Sequence, residues 1–231
     1  MSDMSPTLFE LRLYRIAPGR INDMAARFRD DLNTLFPRHG IRPVGGWTVS
    51  SGGATPMFIY LMPWQSMEQR AAAFASFVAD PDWAAARDRT NGPSELVERY
   101  DIRLLSALVA PPAVLPDDET GRCHELVCQR VANGRAAAVR DNLLDIELPA
   151  LRRAGASVLG CFEVQIGPDM PSIVTLLSWA GPVEREAGLR AAELTPELVA
   201  MRERQITEAG RCFLGSGERY LMSAVPVVWA D

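Results

Sequence analysis

The chain has 231 residues, of which 48 % are hydrophobic and 23 % charged, with a net charge of −5. That length suits one large domain or two of roughly 100 to 120 residues, and the acidic balance excludes the basic surface that nucleic acid or an anionic membrane would need. All 24 basic residues are arginine, so Schiff-base catalysis and pyridoxal phosphate anchoring, which need a lysine amine, are excluded as well.

Residues 8–16 alternate, with Phe9, Leu11 and Leu13 on one face and Glu10, Arg12 and Tyr14 on the other, which predicts a strand. After Pro18-Gly19 the period becomes helical, and Ile21, Met24, Phe28, Leu32 and Leu35 form one apolar stripe. Gly40 supplies the left-handed C-terminal cap. A second strand is expected over 44–50 and a third over 57–63, joined by Ser51-Gly52-Gly53. Ser66 and Gln69 have capping-box spacing for the next helix. That helix must break before Pro81, where Asp80 reads as an N-cap with proline in the first helical position. A last strand covers 98–105.

The pattern then repeats. Shifted by 115 residues, Glu10-Leu11 falls on Glu125-Leu126, Gly19-Arg20 on Gly134-Arg135, Gly40 on Gly155, Trp64 on Trp179 and Pro81 on Pro196. Glu98-Arg99-Tyr100 recurs as Glu218-Arg219-Tyr220 at an offset of 120. Between the copies, residues 110–119 carry three prolines and an acidic run and read as a stiff exposed linker. The expected organisation is a first domain over 7–107, a linker over 108–121 and a second domain over 122–231.

Each copy therefore reads as a βαββαβ unit of the α+β class, with both helices on one face of a four-stranded antiparallel sheet. Two such sheets can pack face to face into a barrel-like core. The apolar face (Phe9, Leu11, Leu13, Ile59, Leu61) is assigned to the helices. The mixed face (Glu10, Arg12, Tyr14, Tyr60, Asp101, Arg103) is assigned to the space between the sheets, where polar groups must be paired or line a cavity. The second copy is blander there, so the expected pocket is led by the first.

Cys123, Cys128, Cys161 and Cys212 form no Cys-x-x-Cys pair, and reduced thiols in a cytoplasmic protein are the simplest account. Met1 to Pro6 lacks the features of a secretory signal, and no apolar stretch is long enough to span a bilayer.

Glu10-Leu11-Arg12-x-Tyr14 with Pro18-Gly19, Arg38-His39-Gly40, Val44-Gly45-x-Trp47, Tyr60-Leu61 with Trp64, and Asp80-Pro81-x-Trp83 resemble a NIPSNAP domain. The second copy follows more loosely, with Val127, Gln129, Phe162 and Leu198 in place of Arg12, Tyr14, Trp47 and Trp83. The resemblance implies two tandem ferredoxin-like domains that pair sheet to sheet as a dimeric α+β barrel, here an intramolecular pseudo-dimer. It leaves the activity open, since the wider superfamily includes cofactor-free monooxygenases, isomerases, cyclases and haem enzymes, and animal NIPSNAP proteins are known for interactions.

The expected ligand is a small aromatic or acidic metabolite held between the sheets, with homodimerisation of tandem units left open. Tyr14, His39 and Arg12 are the candidate catalytic residues. Glu10, Trp47, Tyr60, Trp64, Asp101 and Arg103 are the candidate substrate-binding residues. In this reading Arg12 and Arg103 hold anionic oxygen, Tyr14 or His39 moves a proton, and Trp47 and Tyr60 shape the wall. No bound cofactor or metal is called for, although a haem-binding barrel and a non-catalytic scaffold are alternatives. Each candidate also has a structural reading: Arg12, Tyr14, Tyr60 and Arg103 as an ion-pair cluster with Glu10 and Asp101, His39 as a helix-end cation, His124 as a satisfied histidine, the tryptophans as core. The Arg87/Arg89 pair and its repeat Arg202/Arg204 read as solvated helix faces or inter-element salt bridges.

Overall fold

The computed structural model describes residues 6, 8–116, 119, 121–227 and 229. The expected domain limits at 7 and 231, and Asp117-Asp118 of the acidic run, lie outside these residues. The first half runs β1 (Leu8–Ile16), α1 (Ile21–Ala26), a π-helical turn (Arg27–Asp31), α2 (Leu32–Arg38), β2 (Gly45–Ser51), β3 (Met57–Trp64), α3 (Met67–Val78), α4 (Pro81–Asn91) and β4 (Val97–Val109). The second half repeats it as β5 (Cys123–Val131), α5 (Ala136–Asn142), a π-helical turn (Leu143–Glu147), α6 (Leu148–Arg153), β6 (Ser157–Ile166), β7 (Ser172–Trp179), α7 (Pro182–Glu193), α8 (Pro196–Ala209) and β8 (Leu214–Ala224). β4 continues into the segment read as linker.

The local signals act as the sequence predicts. The Gln69 N–H donates to Ser66 Oγ at 3.2 Å and the Asp82 N–H to Asp80 Oδ1 at 2.8 Å, and Gly40 ends its helix at φ +70°. Thr195 differs: its hydroxyl donates to the Ala192 carbonyl at 2.7 Å, so it ties α8 to the end of α7 instead of capping α8.

The eight strands form one closed barrel in the order β1-β3-β2-β8-β5-β7-β6-β4, and every pairing is antiparallel. The halves join edge to edge, β2 on β8 and β4 on β6, so no strand edge is left open. Phe9, Leu11, Leu13, Ile59 and Leu61 point into this barrel and pack on Leu126, Phe162, Val174 and Leu176 from the other half.

This inverts the expected faces. A closed barrel admits no water to pair buried charge, so the apolar face fills it. The mixed face lies under the helices, where helix side chains complete its hydrogen bonds. The barrel interior retains a void of only about 10 Å³, at the threshold for a single water. The expected pocket between the sheets is therefore replaced by packed core.

Strand register corrects a second expectation. Arg12 stands opposite Ile102, while Leu11 stands opposite Arg103 and Leu13 opposite Asp101. Asp101 and Arg103 thus belong to the barrel side of the sheet, away from Arg12, because a one-residue difference in register exchanges the two faces. The sequence match between Glu98-Arg99-Tyr100 and Glu218-Arg219-Tyr220 is likewise not the structural one. Leu11 faces Arg103 whereas Leu126 faces Tyr220, so Tyr220 takes the place of Arg103.

The linker is anchored rather than free. The Leu115 N–H donates to the Val44 carbonyl at 2.6 Å, and its side chain packs against the barrel core. Buried Glu119 meets His124 Nε2 at 3.0 Å and accepts from Ser178 Oγ. From the other end of the chain, Trp229 meets Phe28 of the first half edge to face, with centroids 5.6 Å apart.

Candidate functional site

Two helix–sheet layers, one in each half, descend from the same pattern and differ in content. In the first, the fully buried Glu10 carboxylate accepts from Arg12 at 2.8 Å, from Arg70 at 2.6 and 2.9 Å, and from Trp64 Nε1 at 3.0 Å. Arg12 also donates to Tyr14 Oη at 2.7 Å, and the Tyr60 hydroxyl donates to Tyr14 at 2.7 Å. The Arg12 guanidinium stacks 4.2 Å above the Phe74 ring. Burial alone would hinder ionisation of Glu10, but the Arg70 and Arg12 hydrogen bonds and charges outweigh it and hold its pKa below the ordinary 4.5. Burial pushes both tyrosines above their ordinary value of 10.

Of the expected cluster, Glu10, Arg12, Tyr14 and Tyr60 do come together, without Asp101 and Arg103; Trp64, read as core, joins them through its indole N–H, and their hydrogen bonds are spent on one another and on Arg70. Tyr14 is 6 % exposed and Tyr60 3 %. The other candidates lie elsewhere. Trp47 is in the barrel interior, opposite Ile59. Arg103 reaches across one barrel end from Asp101, at 3.0 Å, towards Glu218, at 3.7 Å. His39 sits at the end of α2, with Nδ1 2.8 Å from Ser76 Oγ and Nε2 2.8 Å from Asp80 Oδ2, and so ties three helices together.

The second layer keeps the anchor and loses the filling. Glu125 accepts from Arg185 at 2.5 and 3.0 Å and from Arg219 at 2.8 Å, as Glu10 does from its arginines. Around that anchor the large groups shrink: Arg12 becomes Val127, Tyr14 Gln129, Phe28 Leu143, Tyr60 Thr175, Phe74 Leu189, Phe77 Ala192 and Trp83 Leu198. All seven replacements line one cavity between the sheet and the second π-helical turn with α6, α7 and α8, with about 70 Å³ open to the centre of a water molecule. The space exists because the volume removed at repeat-equivalent positions is not refilled.

Two charged groups also line it. Glu147 stands where the first copy has the core residue Leu32, and Arg202 is the repeat of exposed Arg87. Glu147 is half-buried at the end of the π-helical turn, and burial raises its pKa above the ordinary 4.5, with Arg202 pulling the other way. Neither makes a hydrogen bond or an ion pair within 4.0 Å among the described residues. Arg202, expected on a solvated face or in an inter-element salt bridge, is instead a half-buried pocket residue. The signal for this site was present in the sequence as the run of large-to-small changes between the copies. Glu147 was missed because it falls on the apolar stripe of its helix. No group of His, Cys, Asp and Glu side chains is arranged to hold a metal among the described residues.

Comparisons with known proteins bear on the fold and the family. A candidate monooxygenase from Lactobacillus acidophilus superposes with a TM-score of 0.57 at 10 % identity, covering 99 % of this chain and 100 % of that one. A candidate monooxygenase from Fusobacterium nucleatum gives 0.61 at 7 % identity, covering 96 % and 94 %. An anthrone oxidase-like protein gives 0.59 at 12 % identity, also covering 96 % and 94 %. At these identities the likeness is one of fold. No curated protein matches the chain by sequence. The NIPSNAP family model matches residues 9–111, which are the first half of the barrel from β1 to just past β4. The first half of this chain is a NIPSNAP domain.

Proposed function

We propose that this is a small-molecule-binding protein of the NIPSNAP type, with its ligand site in the helix–sheet layer of the second half. Each half is read as a ferredoxin-like unit, and the pair as an intramolecular form of the dimeric α+β barrel. The observation that carries the reading is the contrast between the layers: seven side chains that fill the first are all smaller in the second, and a cavity with two unpaired charges results. The first half then serves as the rigid partner, its ion cluster and aromatic packing holding the barrel against which the second half opens.

An apolar lining with a few polar groups suits a small aromatic or acidic metabolite. The chemistry it supports is cofactor-independent: isomerisation, cyclisation or oxygenation of such a compound. The candidate monooxygenase and anthrone oxidase-like neighbours agree with that class at the level of fold. A non-catalytic scaffold remains the rival.

Restoring the first copy's residue tests the site. In Leu198→Trp the indole takes the place that Trp83 fills in the first half. Benzoate, followed by ligand-observed NMR, is expected to bind the wild-type protein and not this variant. Equal binding by both, or none by the wild type, removes the pocket as the ligand site.

A further inference from the structure

We propose that Glu147 and Arg202 form a proton-transfer pair for an enolisable carbonyl compound, Glu147 taking the proton and Arg202 holding the oxygen that becomes negative. The inference rests on the ligand site placed above and adds the reaction and the substrate class.

A carboxyl group on the apolar stripe of a helix costs stability unless something repays it, and its counterpart in the first copy is the core residue Leu32. The other buried carboxylates of these layers, Glu10 and Glu125, are each gripped by two arginines. Glu147 is not. Among the described residues it has no hydrogen bond or ion pair within 4.0 Å, and the guanidinium that acts on its charge is Arg202, on α8 in the lining of the same cavity. The remaining ionisable groups lining this space are Arg219 on β8, held by Glu125, and exposed Glu193 at the end of α7; outside the lining, the buried Cys161 thiol on β6, whose pKa burial raises to about 11, also feels the Glu147 charge. None of these neutralises Glu147 by contact.

An unpaired base and an unpaired cation lining one largely apolar space are the parts needed to abstract a proton next to a carbonyl. The raised pKa of Glu147 brings it towards neutrality, where a carboxylate accepts a proton most usefully. Its place at the end of a π-helical turn, a feature frequent at functional sites, is consistent with this role.

The step balances without a co-reactant. A carboxylate oxygen of Glu147 takes the proton from the carbon next to the ligand's carbonyl. The electron pair of that C–H bond becomes the C=C bond of an enolate, and the carbonyl π pair moves onto oxygen beside Arg202. Once the carboxyl proton of Glu147 has swapped with solvent, delivery of a solvent-derived proton or deuteron to the same carbon gives exchange, and delivery to a different carbon of a conjugated ligand gives an isomer. Either restores the carboxylate. The substrate class is a small compound with an apolar or aromatic body and an enolisable ketone or 2-oxo acid.

The probe is phenylpyruvate, which has an aromatic ring, a carboxylate and an acidic benzylic C–H. Proton NMR in deuterated buffer follows loss of the benzylic signal, and ligand-observed NMR on the same samples reports binding. The wild-type protein is expected to accelerate exchange over buffer. Glu147→Gln should retain binding within a few-fold and lose about 10²- to 10⁴-fold of the protein-dependent exchange. Arg202→Gln should weaken both binding and exchange. Binding without accelerated exchange, or exchange undiminished in Glu147→Gln, overturns the proton-transfer assignment and leaves the binding site standing. Absence of phenylpyruvate binding to the wild type, together with absence of benzoate binding, overturns both.

Discussion

At the scale of single residues, three carboxylates on the same kind of surface show how partners decide behaviour. Glu10 has two arginines and a tryptophan, Glu125 has two arginines, and Glu147 has a guanidinium beyond contact distance. Removing one member of a buried ion pair strands the other, at a cost of about 3–5 kcal/mol. Glu10→Leu is therefore expected to lower stability by about that amount in urea denaturation. Glu125→Leu should cost less, because Arg219 is 45 % exposed and can rehydrate. The pKa values of Glu10 and Glu125 are depressed on folding, so their contribution is present above about 4.5 and is lost as pH falls through the lower folded value. Glu147 has the opposite sign. Its pKa is raised, so its contribution is fully present below 4.5 and is lost as pH rises through the folded value. Glu147→Leu, which restores the first copy's residue, should raise the urea midpoint at neutral pH and leave it nearly unchanged in acid. A midpoint that falls at neutral pH would contradict the unpaired environment described for this group.

At the scale of elements, short-range chemistry sets the boundaries. Ser66 caps α3 through a single hydrogen bond to the Gln69 amide, and Ser66→Ala should cost about 1 kcal/mol by chemical denaturation. Gly52 turns β2 towards β3 at φ +99°, where a Cβ would collide with the Arg219 carbonyl on β8. Gly52→Ala is expected to destabilise well beyond the local strain of about 1–2 kcal/mol, since it also pushes apart one seam of the barrel. Amide exchange of β2 and β8 should report the opening; unchanged protection there would separate the turn from the seam. Strands, turns and caps of this kind were legible in the sequence because each depends on neighbours within a few residues. The faces of the strands were legible too, as two alternating sets. Which set the helices cover was not, because alternation carries no sign.

At the scale of the whole molecule, the duplicated halves have become interdependent. The barrel closes only through β2 with β8 and β4 with β6, the linker inserts Leu115 at the barrel core, and the C-terminal segment sets Trp229 edge to face against Phe28 of the opposite half. Trp229→Ala should cost about 3–5 kcal/mol if the indole is core to the first half, and calorimetry should still show one transition rather than two. Two separate transitions would mean that the halves fold as independent units. Local periodicity, motif spacing and residues on one strand pair were enough to read the duplication, the order of elements in each copy, the family of the first half and the shared face of Glu10, Arg12, Tyr14 and Tyr60. Long-range packing assigned the apolar faces to the barrel interior, Asp101 and Arg103 to its inner side, and the cavity to the second half. Those outcomes depend on register and on the volume left when distant side chains pack together, which no short stretch of sequence records.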